Sequence, residues 1–176
     1  RHSQKVVRKL DVLPGMQVLD ACAAPGTKTQ QIACLMKNQG KIVATDLYEA
    51  RCNLIDELMN RTGVSIVCAK QNDATITGKF PKESFDRILI DAPCSGLGDL
   101  SHKPEIRWHL EPTSIDELVQ TQEAILDANA DYLRVGGILV YSTCTLNRKE
   151  NEQQIKKFLA KHSDYVLLEE ETLFPM

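Results

Sequence analysis

The chain has 176 residues, 43% of them hydrophobic, which suits one domain with a substantial buried core and excludes a disordered tail or a fibre. With 21 basic and 24 acidic residues the net charge is −3, which excludes a generally basic nucleic-acid-binding surface but not a local basic cleft. Its six cysteines form no CxxC pair and its histidines do not cluster, so a reduced cytoplasmic protein without a metal is expected.

The opening "RHSQKVVRKL" lacks the apolar core of a signal peptide, and no later run approaches the ~20 apolar residues of a membrane span. No repeat or Gly/Ser-rich linker divides the chain, so residues 1–176 read as one domain. Six short apolar runs predict strands: "MQVLDA" (16–21), "KIVATD" (41–46), "SIVCAK" (65–70), "FDRILID" (85–91), "GILVYST" (137–143) and "YVLLEE" (165–170). Between the fourth and fifth, Ile115, Leu118, Val119, Ile125, Leu126 and Leu133 share one face of a predicted helix over 114–134. Gly136 and Gly137 suit its stop. After the fifth, Asn147 with Glu150 three residues on forms a capping box for another helix. Strands alternating with helices imply right-handed crossovers and a doubly wound, mostly parallel α/β sheet, which binds ligands at the carboxyl ends of its strands.

Those strand ends carry a pattern. The turn after the first strand, "DACAAPGTKT" (20–29), uses Ala21, Ala23, Ala24 and Gly26 to let a ligand approach the backbone, with Pro25 stiffening the entry to a helix. It is not a GxGxxG, and Asp20 makes it a poor seat for a diphosphate. Asp46 ends the second strand, where a carboxylate can accept both hydroxyls of a ribose. Asp73 follows the third strand and Asp91 ends the fourth. Any one of these acids would also serve as a turn or helix cap. Their recurrence points to a cationic, phosphate-free nucleoside such as S-adenosyl-L-methionine rather than NAD.

Cys34, Cys52 and Cys68 fall within predicted helices or a strand and read as small buried hydrophobes. Cys22 lies in the ligand turn, where its backbone matters more than its sulfur. Cys94 and Cys144 differ, because both follow strand ends on the functional edge. A thiolate adding to C6 of a cytosine makes C5 nucleophilic enough to take a methyl group, a carboxyl group facing N3 and N4 assists, and a base then removes the C5 proton. Two thiols and one acid meet those demands, and the chemistry alone does not choose between the thiols.

"DACAAPGTKT", "DAPCSGLG" and "YSTCTLNRKENE" resemble, in order and spacing, motifs of the RNA cytosine-C5 methyltransferases. "HKPEIRW" is most similar to the bacterial Sun/Fmu (RsmB) branch acting on small-subunit (16S) rRNA. The resemblance covers nearly the whole chain. It implies the Rossmann-like fold of the class I S-adenosylmethionine-dependent methyltransferases and an RNA substrate. It also implies that the donor is bound by Cys22, Ala23, Ala24, Pro25, Gly26, Thr27 and Lys28, with Thr27 at a place that is often glycine. Asp46 then matches the ribose-binding acid, Asp73 the acid beside the adenine, and Asp91 the acid near both donor and target base. By the same resemblance Cys144 is the nucleophile and Cys94 serves product release, although DNA cytosine methyltransferases attack with a Pro-Cys thiol like Cys94.

Lys103, Arg107 and Trp108 follow Cys94, where they can touch phosphates or stack on a base, or simply form a solvated loop with Trp108 tucked in. The target base must leave its stack, which favours unpaired or deformable RNA. An amino-terminal RNA-binding region and a last "GFF" strand, usual in this branch, are absent from the sequence. An excised catalytic core is therefore expected, monomeric, lacking the last strand, and weak in methylating RNA. The alternatives are an NAD-linked oxidoreductase, weakened by the lack of GxGxxG, and a non-catalytic nucleoside-binding module.

Overall fold

A computed structural model of the chain describes residues 2–92, 112–143 and 148–169. In chain order the elements are α1 (His2–Lys9), β1 (Gln17–Asp20), α2 (Thr27–Leu35), β2 (Lys41–Asp46), α3 (Glu49–Thr62), β3 (Val67–Gln71), β4 (Phe85–Asp91), α4 (Pro112–Asn129), a 3-10 turn (Ala130–Tyr132), β5 (Leu133–Ser142) and α5 (Arg148–Lys161). The five strands form one sheet in the order β3-β2-β1-β4-β5, and every pairing is parallel. The expected doubly wound, parallel α/β architecture is therefore present among the described residues.

Both faces of the sheet are covered, as its near-continuous apolar strands require. Val18, Ile42 and Leu89 point to the side where α1 and α2 pack with Val6, Val7, Leu10, Ile32 and Met36. Leu19, Val43, Ile88 and Ile90 point to the other side, toward Ile125 and Leu126 of α4 and Phe158 of α5. The third helix lies beside α2, setting Ile55 and Met59 against Ala44 and Ala23. Strand order reverses between β1 and β4, which leaves a crevice at their carboxyl ends.

Three sequence expectations are corrected. Residues 114–134 do not form one helix: α4 ends at Asn129, and β5 begins at Leu133, well before Gly137. Gly136 and Gly137 are not a helix stop but sit inside β5, in an irregular stretch where the register with β4 slips between Phe85 and Arg87. Gly136 adopts φ 82°, a left-handed conformation that favours glycine, and a Cβ on Gly137 would stand 2.7 Å from the Asp86 carbonyl oxygen, so the strands approach there only because residue 137 is glycine. Residues 165–169 are not a strand. Tyr165 anchors them by donating its hydroxyl to the Ala130 carbonyl, while Val166 and Leu168 remain 78% and 77% exposed. Residues 165–169 pair with neither edge strand of the sheet, β3 nor β5.

Candidate functional site

At the switch between β1 and β4 lies a small cleft of about 150 Å³, lined by Asp20, Cys22, Ala23, Ala24, Pro25, Thr27, Lys28 and Asp91. It brings together the β1–α2 turn and the end of β4, two segments that the sequence singled out separately. A wider hollow of about 430 Å³ lies along α1, between Lys5, Arg8, Lys9 and Glu169, but its side chains line an open surface and Glu169 already pairs with Lys9.

The floor of the cleft is fixed by backbone and small side chains. Ala21 N–H donates to the Leu89 carbonyl, Ala23 N–H to the Thr45 carbonyl, and the Thr45 hydroxyl to the Ala21 carbonyl. These bonds carry the turn past the end of β1 while keeping it tied to β2 and β4. Gly26 then turns the chain with φ 110°, a conformation that favours glycine, and packs so close to α3 that an added Cβ would already touch the backbone of Ile55 at 3.4 Å. The pattern of alanines and one glycine is thus a packing requirement as well as a way of admitting a ligand.

Asp91 is the best-supported acid of the cleft. Its Oδ2 lies 2.8 Å from Lys28 Nζ in the first turn of α2, and its Oδ1 accepts a 2.8 Å hydrogen bond from the Ser142 hydroxyl at the end of β5. Three elements therefore aim one carboxylate. Asp20 is the opposite case: it is 1% exposed, its Oδ2 accepts a 2.7 Å bond from the Thr29 hydroxyl, and its Oδ1 has no partner. Burial raises its pKa to about 7, the Thr29 bond opposing and the Asp91 charge reinforcing that rise.

The Cys22 thiol is pushed up to about 12 by burial, with Asp20, Asp91 and Asp46 adding to the effect. It therefore stays a thiol, and its place in the turn rests on its backbone, as the sequence suggested. Cys52 is buried and Cys68 half-buried, but Cys34 is exposed and accepts a hydrogen bond from the Gln30 side chain, so it is not the core residue expected.

Asp46 and Asp73 stand at the ends of β2 and β3 but do not line this cleft. Asp46 is buried, with Oδ2 accepting from the Tyr48 amide at 3.2 Å and lying 3.5 Å from Arg51 Nε. Asp73 is half-buried and takes both the amide and the hydroxyl of Thr75 on Oδ1, which hold its pKa below the ordinary carboxylate value. Cys94, Cys144, Lys103, Arg107, Trp108 and Asn147 lie outside the described residues. Among the described residues no His, Cys, Asp or Glu cluster could hold a metal, and no helix is long and apolar enough to cross a membrane.

Sequence reasoning missed four supports: Thr29 under Asp20, Ser142 against Asp91, Arg51 beside Asp46, and Asn151, whose side-chain oxygen accepts a 2.9 Å bond from the Thr143 hydroxyl. The signal for Ser142 and Thr143 was their place in "YSTC", beside a thiol already under suspicion. Nothing in the sequence marks Thr29 or Arg51 as partners of acids on another element. The residues present fit a positively charged nucleoside: the turn is free of bulk, two acids line the cleft with one lysine between the turn and β4, and a buried oxygen lacks a partner.

The fold agrees with known proteins. The chain is 44% identical over 164 residues to the "Probable ribosomal RNA small subunit methyltransferase B" of Bacillus subtilis, covering 93% of this chain and 37% of that protein. It is 42% identical over 153 residues to the "Ribosomal RNA small subunit methyltransferase F" of Serratia proteamaculans, covering 87% and 32%. Its backbone superposes on the crystal structure of NSun6 from Pyrococcus horikoshii with SFG at a TM-score of 0.77 and 36% identity, over 90% of this chain and 40% of that one. The chain thus spans about a third of the length of these curated relatives. Since residues 7–175 match the family model of the 16S rRNA methyltransferase RsmB/F, the chain belongs to that family, whose methyl donor is S-adenosyl-L-methionine.

Proposed function

We propose that this chain carries the catalytic site of an enzyme that transfers a methyl group from S-adenosyl-L-methionine to C5 of a cytosine in RNA, small-subunit rRNA being the substrate. The observation that carries the reading is Asp91, aimed from three elements at the edge of the cleft, with Cys94 three residues beyond it and Cys144 two residues beyond its partner Ser142. In this reading Cys22 to Lys28 hold the donor, with Asp46 and Asp73 serving its ribose and adenine. A diphosphate cofactor would instead meet Asp20 and Asp91.

When bound, the donor supplies a sulfonium-activated methyl group. Cys144 adds as thiolate to C6 of the cytosine, forming a C–S bond and placing electron density on C5, the atom that becomes methylated. Asp91 accepts the hydrogen bond of the exocyclic amine, its charge held in place by Lys28. Loss of the C5 proton to a base then breaks the C–S bond and restores the ring, and Cys94 assists release of the product.

The test is RNA carrying 5-fluorocytidine, whose fluorine replaces the proton that must leave, so that the thiol stays attached. A denaturation-stable complex should form with the unaltered protein, vanish in Cys144→Ser, and accumulate even on ordinary RNA in Cys94→Ala. An adduct that survives Cys144→Ser but not Cys94→Ser would exchange the two roles. Absence of any adduct, with methyl groups appearing on another base, would refute cytosine-C5 chemistry. Bisulfite sequencing of rRNA from cells lacking the gene tests the substrate.

A further inference from the structure

The mechanism above leaves one group of the cleft without a task. Asp20 ends β1 at the cleft wall, is almost wholly buried, and keeps Oδ1 unpartnered while Oδ2 is bound by Thr29. Leaving a buried acceptor without a donor is costly, and a proton, an ordered water or a positive ligand relieves that cost, the proton and the positive ligand by cancelling the charge as well. The charged and titratable groups that act on it are the Asp91 and Asp46 carboxylates and the Lys28 ammonium. Cys22, the other titratable group of the wall, remains a thiol and adds no charge. Among the described residues, two acids against one base leave no spare cation beside Asp20 to stabilise a second buried carboxylate.

Building on the donor-binding reading, we infer that Asp20 senses the charge of the cleft's occupant: it releases a proton to solvent when the cationic methyl donor is bound and holds that proton when the cleft is empty or contains the neutral thioether product. Only an O–H bond breaks or forms in this exchange. Asp20 is then a specificity-determining residue. Its carboxylate favours the charged donor, and its neutral acid form withdraws that preference once the methyl group has gone and the sulfur is uncharged. Because Asp20 titrates near neutrality in the empty protein, a small differential interaction suffices to move it.

The sign follows from linkage. Donor binding selects the ionised form, so donor affinity rises with pH up to about 7 and then levels off, whereas product affinity does not gain from ionisation. Between pH 8 and pH 6 the donor should lose about tenfold in affinity through this group. The α-amino group of the donor also titrates in this range, but it does so against any variant, so comparison with Asp20→Asn isolates the carboxyl.

The experiment is isothermal titration calorimetry of the chain with S-adenosylmethionine and with S-adenosylhomocysteine at pH 7, each in two buffers of different ionisation enthalpy, which counts protons. The donor should release about half a proton more than the product, and Asp20→Asn should abolish the difference. Thr29→Val, which removes the hydroxyl that favours the carboxylate, should move the pH midpoint of donor affinity upward, and it serves if the asparagine variant does not fold. Equal proton release with both ligands, or an excess that persists in Asp20→Asn, overturns the inference while leaving donor binding intact. If neither ligand binds, the donor-binding reading fails and this inference fails with it.

Discussion

Asp91 shows how a cleft carboxylate is aimed by partners on two other elements. Lys28 and Ser142 take one oxygen each, from α2 and from the end of β5, so removal of either should disturb direction more than stability. Lys28→Met should cost about 1 kcal/mol in urea denaturation, since the pair is partly exposed, yet lower kcat by ~100-fold. Ser142→Ala should keep the ion pair and lower kcat by ~10-fold with little change in KM for the donor. Asp20 and Asp86 make opposing contributions to pH stability. Asp20 binds a proton in the folded chain that the unfolded chain releases above the ordinary value of 3.8, so its contribution falls as pH rises from about 4 to about 7. Asp86 is held low by the Gln17 amide against the opposing effect of burial, with Arg134 also lowering it, so its contribution is lost as pH falls below that ordinary value. The urea midpoint of the ligand-free chain should therefore peak in acidic buffer, at about pH 4, and Asp20→Asn should flatten the decline above it.

Two glycines set the limits of their elements. Gly26→Ala would force a side chain into a left-handed conformation against the backbone of Ile55, costing about 1–3 kcal/mol and loosening the turn that precedes α2. Denaturation should register the loss, and calorimetry should show weaker donor binding. Gly137→Ala would place its methyl 2.7 Å from the Asp86 carbonyl and push β5 from β4, lowering Tm by several degrees. These positions also explain what could be read from the sequence. The three inner strands, β1, β2 and β4, were legible because their apolar runs are buried on both faces, and their acids were legible because each stands where a strand ends. "RVGG" misled because glycines after a helical pattern read as a stop, while here a 3-10 turn ends the helix and the glycines allow a bulge against β4. "YVLLEE" misled because its composition is that of a strand, but a strand forms only by pairing with a neighbour, and composition does not specify that pairing.

At the scale of the molecule, the strand order determines which residues can meet. Asp20 and Asp91 share a cleft because β4 crosses back to lie beside β1, with Asp20 in register with Leu89. The sequence announced both acids and the edge they occupy. It could not show that Asp46 and Asp73 do not line this cleft, nor that Lys28 reaches Asp91, because such facts depend on register and reach across elements rather than on spacing along the chain. The order also has a kinetic side. The pairing of β1 with β4 closes a loop of roughly seventy residues, whereas β1 with β2 and β2 with β3 close much shorter ones. A chain caught with only β1, β2 and β3 assembled would present the turn and Asp20 without Asp91 or Ser142. Ligand affinity should therefore appear late in refolding, behind most of the helical signal, so that acquisition of S-adenosylhomocysteine binding in a stopped-flow experiment times the closing of the sheet.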